Sequence, residues 1–253
     1  MKIQALRVTS PLLLSLFLMP IPCAADPSGL SGNAPLRVED AEPTGHRSSE
    51  LEVSSSYERT GERESLGEFQ PEFKYGFEQD AHVSISSHKL FGSAPHTGSG
   101  DISLTLFSRL YKETDTSWWP SIAVSVRAEL PTGSHSSGVD TRVAFIASRS
   151  LAGSTSRVHL NGLWHRNANA EPGDRKDRYA MIVGYSHMLT QDRALVVDYI
   201  HEQQDEPGKV DRIAEIGLRQ ALGPKDVIGV GAGAGLNSES PRYRLVVSYQ
   251  HAF

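Results

Sequence analysis

From residue 48 onward the chain repeats one pattern: a stretch of about ten residues in which apolar and polar side chains alternate, followed by a polar or glycine- and proline-bearing break. Twelve such stretches run at 48–58, 68–78, 81–91, 100–112, 118–130, 141–151, 156–166, 178–189, 193–203, 210–222, 226–235 and 242–253. A period of two marks a strand with two unlike faces, and about ten residues is the length that a tilted strand needs to cross a bilayer. The breaks alternate in length. Those at 79–80, 113–117, 152–155, 190–192 and 223–225 are short, and those at 59–67, 92–99, 131–140, 167–177, 205–209 and 236–241 are longer and polar. Turns on one side of a membrane and loops on the other produce that alternation, which a Greek-key sandwich has no reason to show. The pattern predicts an all-β fold, a transmembrane antiparallel up-and-down β-barrel of about 12 strands, with both ends on the same side.

The last stretch carries the clearest version. Tyr243, Leu245, Val247, Tyr249, His251 and Phe253 share one face; Arg244, Val246, Ser248, Gln250 and Ala252 share the other. Aromatics at both ends of an outward row match the two interfaces of a bilayer. The segment resembles the C-terminal signal strand of bacterial outer-membrane barrels, which ends in Phe. Tyr249 and Phe253 are therefore the expected contacts for a barrel-assembly machinery.

At the other end, Lys2 and Arg7 precede an apolar run from Pro11 to Leu18 and the small residues Cys23, Ala24 and Ala25. These are the three parts of a secretory signal peptide, expected to cover residues 1–25. The run is too short to cross a bilayer as a helix, and nothing later approaches the roughly 18 residues required. Cys23 is the only cysteine; Pro20 and Pro22 before it argue against an acylated lipoprotein cysteine. Loss of Lys2 and Arg7 would take the formal charge from -5 to -7. So acidic a chain argues against nucleic acid as a partner. Residues 26–47 are rich in Pro, Gly, Ser and acids and lack periodicity, which leaves two readings open: a flexible periplasmic extension, or a plug. Residues 48–253 are the expected barrel.

The pairing of 101–110 with 121–130 fixes which face is which. Ile102, Leu104, Leu106, Ile122, Val124, Val126, Ala128 and Leu130 lie on one face, and Arg109, Arg127 and Glu129 on the other. Each arginine turned to lipid at mid-depth would cost about 2–4 kcal/mol, so these three are expected in the lumen. Trp118, Trp119 and Tyr111 flank the short turn, where an interfacial girdle would lie.

The same region carries a family resemblance. Gly100-Asp101-Ile102-Ser103-Leu104-Thr105-Leu106, then Pro120 through Leu130-Pro131-Thr132-Gly133, then Gly138-Val139-Asp140 resemble the core of a broad family of proteobacterial outer-membrane barrels, over residues 100–167. Its members are often labelled transporters or meta-pathway phenol-degradation proteins. The resemblance implies a barrel engaged in uptake of small hydrophobic or aromatic compounds.

Few residues invite a catalytic reading. Gly229, Gly231, Gly233 and Gly235 imitate a nucleotide loop, but no helix follows and they fall on one strand face, opposite Ile228, Val230, Ala232 and Ala234. They read instead as a wall strip without side chains. His159 and His165 share a face with Arg157 and Asn161, but six residues of strand separate the imidazoles by about 20 Å, too far for one metal. Of the Ser/His neighbours, His82-Val83-Ser84 has no Asn or Gly after it to orient it or to supply an oxyanion donor, and His135-Ser136 falls in an expected flexible loop. No enzyme, cofactor or metal is expected. Arg109, Arg127, Glu129, Arg157, His159, Asp198, Glu215, Arg219 and Arg244 are the candidate lumen residues, as either a selectivity constriction or a paired structural network. The sequence supports a passive channel or transporter for small-molecule solutes in the outer membrane of a Gram-negative cell, in contact with its lipid. The alternative is a structural or adhesive barrel working through its loops.

Overall fold

The computed structural model describes residues 25–60, 64–94, 97–134, 136–151, 155–168 and 170–253. The signal-peptide pattern before Ala25, with Cys23, and His135 lie outside the described residues. Twelve strands form one closed barrel in which each pairs antiparallel with its sequence neighbours and β1 closes on β12. They are β1 (Ser49–Arg59), β2 (Ser65–Glu78), β3 (Ala81–Gly92), β4 (Gly98–Tyr111), β5 (Ser121–Leu130), β6 (Asp140–Ser150), β7 (Ser156–Arg166), β8 (Asp177–Thr190), β9 (Arg193–Gln203), β10 (Val210–Ala221), β11 (Asp226–Gly235) and β12 (Tyr243–Ala252).

Each sequence-predicted segment is present, and closure leaves no unpaired edge; in hydrocarbon each unpaired backbone group would cost several kcal/mol. The outer surface is the apolar set of the alternation. Phe69, Phe73, Ile85, Leu104, Leu106, Phe145, Leu160, Met181, Ile216, Leu245 and Val247 are all exposed there. Ile102 opposes Leu130, Leu104 opposes Ala128 and Leu106 opposes Val126, as the faces require.

The connections depart from strict short-long alternation. The long loops expected at 59–67 and 92–99 shrink to 60–64 between β1 and β2 and 93–97 between β3 and β4, whereas the short turn expected at 113–117 spans 112–120 before β5 and contains Trp118 and Trp119. The β2–β3 hairpin is paired out to Leu66 and Gly92. Strand pairing there continues beyond the expected ends because each added pair satisfies backbone groups that a loop would leave to water.

Candidate functional site

The lumen is not empty. Residues 25–48 run through it without regular structure before β1 begins, and Ala34, Leu36, Val38, Asp40 and Ala41 are among the most deeply buried residues of the protein. The segment starts against the β10–β11 turn, where the Ala25 amide donates to the Pro224 carbonyl at 2.8 Å. It crosses the lumen and leaves along β2, where the Arg47 amide donates to the Gly76 carbonyl at 2.6 Å and the Gly76 amide to the Ser48 carbonyl at 3.0 Å.

An irregular backbone at membrane depth needs partners for its amides and carbonyls, and the wall supplies them by side-chain type. Arg219, a pure donor, gives hydrogen bonds to the carbonyls of Ala34 at 2.6 Å, Pro27 at 3.1 Å and Asp26 at 3.4 Å. Asp198, a pure acceptor, takes the amides of Arg37 at 3.1 Å and Val38 at 2.9 Å. Asn161, which can do both, accepts from the Glu39 amide and donates to the Glu39 carbonyl, each at 2.8 Å. Ser148 Oγ accepts from the Ala41 amide at 3.0 Å, and His82 Nδ1 from the Thr44 amide at 3.1 Å.

Apolar packing completes the seat. Leu30, Leu36, Val38 and Ala41 share one cluster with Ile146, Leu163, Ile182, Val196, Ile200 and Ile213 of the inner wall. A Cβ added at Gly184 would meet Val38, and one at Gly231 would meet Leu36 and Pro35. Gly229 lies against Pro35 as well, while Gly233 and Gly235 face Glu215 and Pro241. The first half of the bare strip on β11 is thus where the threaded backbone approaches the wall.

Six of the sequence-predicted residues fall into three pairs by what they hold. Asp198 and Arg219 hold the segment's backbone directly. Arg109 and Arg157 reach its acids: Arg109 pairs with Glu42 and, at 2.6 Å, with Asp80, and Arg157 pairs with Glu42 at 3.2 Å. Arg244 and Glu215 pair with each other at 3.0 Å, and Arg244 also with Glu58 at 3.0 Å. Glu58 and Glu202 in turn hold Arg37 at 3.3 and 2.9 Å. His159 lies between Ser148 and Ser186, at 2.9 and 3.0 Å, whereas His165 lines a different part of the lumen, beside Arg142. Arg127 and Glu129 line cavities of the lumen. Tyr249 donates from its hydroxyl to Asp226 at 2.5 Å, and the Phe253 ring packs at 6.3 Å from Phe73 on the outer surface.

His82 and Ser84 do not make a relay. His82 spends its ring nitrogen on Thr44 and stacks on Phe107 at 4.7 Å, while Ser84 donates to Glu72 at 2.6 Å. Sequence reasoning missed the apolar half of the seat. Its signal was present: Val196 and Ile200 share the face of Asp198, although the opposite face, Leu195, Val197 and Tyr199, is already apolar.

Among the described residues, cavities remain in the barrel, two of them bordered by the segment. One of about 480 Å³ lies between it and the wall that carries Lys74, His82, Thr105 and Arg127. A second of about 190 Å³ is lined by Arg37, Arg142, His165 and Arg244. Another, of about 410 Å³, is lined by the ends of β3 and β4, by Glu129 and Asp140, and by residues of the β5–β6, β7–β8 and β9–β10 loops, Asp174 and Asp205 among them.

No family model and no curated protein sequence matches the chain. Solved structures do. An outer membrane channel from Pseudomonas putida F1 superposes with a TM-score of 0.65 at 14% identity, over 88% of this chain and 99% of that one. The KdgM porin gives 0.60 at 12% identity over 81% and 99%, and the NanC porin 0.59 at 10% identity over 79% and 98%. The likeness is one of fold: this chain is built as the twelve-stranded barrels of outer-membrane channels are.

Proposed function

We propose that the protein is a passive outer-membrane channel for small solutes, and that residues 25–48 restrict its lumen. The observation that carries this reading is the threaded segment, seated on wall side chains that serve its peptide groups one by one. The wall around it is charged and hydroxyl-bearing, which favours small polar or ionised solutes. Aromatic compounds, the class implied by the family resemblance, fit where they carry a charged or hydroxyl group. Export through a cleaved signal peptide and insertion through the terminal strand complete the proposal. The filled lumen also suits a scaffold barrel that works through its loops, and one experiment separates the two. In planar bilayers, deletion of residues 27–44 should produce larger and more frequent discrete openings than the full chain gives. If the deleted protein remains silent, the channel reading fails and the scaffold stands.

A further inference from the structure

β5 and β6 place two arginines side by side. Arg127 and Arg142 are direct cross-strand partners, an arrangement in which like charges repel. Arg127 donates to Thr105 Oγ1 at 3.1 Å, and among the described residues no ion pair includes either guanidinium. In the next layer Glu129 opposes Asp140, so the acids nearest along these strands repel one another too. Both arginines line the cavity of about 480 Å³, and Arg142 also lines the one of about 190 Å³.

The larger cavity contains acids as well, but they are engaged elsewhere. Glu72 accepts from Ser84 and lies 3.8 Å from Lys74, Glu42 pairs with Arg109 and Arg157, Asp40 accepts the Leu30 and Glu42 amides, and Glu50 accepts from Gln250. Glu39 differs. Its backbone is tied to Asn161, while its side chain has no hydrogen bond or ion pair among the described residues and lines the same cavity as Arg142, Arg127 and Lys74. Of the ten N–H donors of two guanidiniums one is given to Thr105, and the remainder sit in planar forks that fit a carboxylate bidentately.

We propose that Arg127 and Arg142 form a lumenal binding site for the carboxylate of a small organic acid, and that Glu39 competes with that acid for it. The competition rests on the reading that residues 25–48 can leave the lumen; the site itself does not. A solute acid then favours the open barrel, because it binds more tightly where Glu39 is absent.

Equilibrium dialysis of labelled benzoate, with benzyl alcohol as its neutral counterpart, tests the site on folded full-length protein in detergent. Wild type should retain benzoate in preference to benzyl alcohol. Glu39→Gln should bind benzoate about tenfold more tightly, within the usual span of coupling between two ligands. The double variant Arg127→Gln, Arg142→Gln should lose the preference. If that variant lacks the heat-dependent gel mobility of a folded barrel, the single variant Arg142→Gln is used instead, with about tenfold weaker binding expected. Equal retention of both probes by wild type, or undiminished benzoate binding without the arginines, overturns the site. Unchanged affinity in Glu39→Gln overturns the competition. Should deletion of residues 27–44 leave conductance unaltered while the dialysis results come out as stated, the site survives and the channel restriction does not.

Discussion

Adding a single methyl group to the wall at Gly184 separates a restricted lumen from an open one. The heavy atoms nearest to a Cβ built there all belong to Val38 of the threaded segment: Cγ2 at 2.5 Å, Cβ at 3.0 Å and Cγ1 at 3.2 Å. Val38 cannot give way cheaply. Its side chain is stiff about χ1, it is 1% exposed, and its amide is held by Asp198. Overpacking of this kind costs about 1–3 kcal/mol. At about 1.4 kcal/mol per tenfold, Gly184→Ala should lower the ratio of seated to unseated segment by about 5- to 150-fold. One methyl cannot obstruct a barrel of twelve strands, so any direct effect on flow would be small and negative, whereas unseating acts in the opposite direction. Single-channel recording in planar bilayers reads both. Open probability should rise in Gly184→Ala, and the same substitution should be silent once residues 27–44 are deleted. An unchanged or lower open probability in the full-length variant would refute the reasoning, because it would mean that Val38 does not occupy that position in the conducting protein.

Three further outcomes are expected. Asp198→Ala leaves the Arg37 and Val38 amides without their acceptor, at a cost of about 1–3 kcal/mol, and should expose residues 27–44 to a protease that leaves the wild type uncut; equal resistance would show that Asp198 does not secure the segment. Because closure satisfies every strand, unboiled protein should migrate differently from boiled protein in detergent gels, and identical mobility would count against a closed barrel. Phe253→Asp should reduce the amount inserted in the outer membrane while export continues, and normal insertion would remove Phe253 from the assembly signal.

The barrel was legible because a period of two survives in every strand and because charge sorts the faces. Arg109, Arg127 and Glu129 could not face lipid, and that alone orients β4 and β5. Strand ends were less legible. Nothing in residues 59–67 signals that β1 and β2 stay paired out to Arg59 and Ser65, since hairpin extension depends on a partner strand rather than on local composition. The position of residues 25–48 was illegible from the segment itself. It has no periodicity, and its seat is built from single residues on many strands: Arg219 of β10, Asp198 of β9, Asn161 of β7, Ser148 of β6 and His82 of β3.

The wall was the better witness. A strand between lipid and a water-filled lumen gains nothing from apolar residues on its inner face, yet β8, β9 and β10 carry Ile182, Val196, Ile200 and Ile213 there, all buried. Facing water, each would forgo the roughly 1.5–3 kcal/mol that burial of such a side chain contributes. Polar groups alone would not resolve the matter, because Asp198 or Arg219 is as well served by water as by a peptide. The apolar residues are not, and neither is Gly231, whose missing side chain admits Leu36 and Pro35. Inward isoleucines and valines beside an inward glycine therefore mark the seat of an occupant, and the sequence offers one with Leu36 and Val38 at its centre.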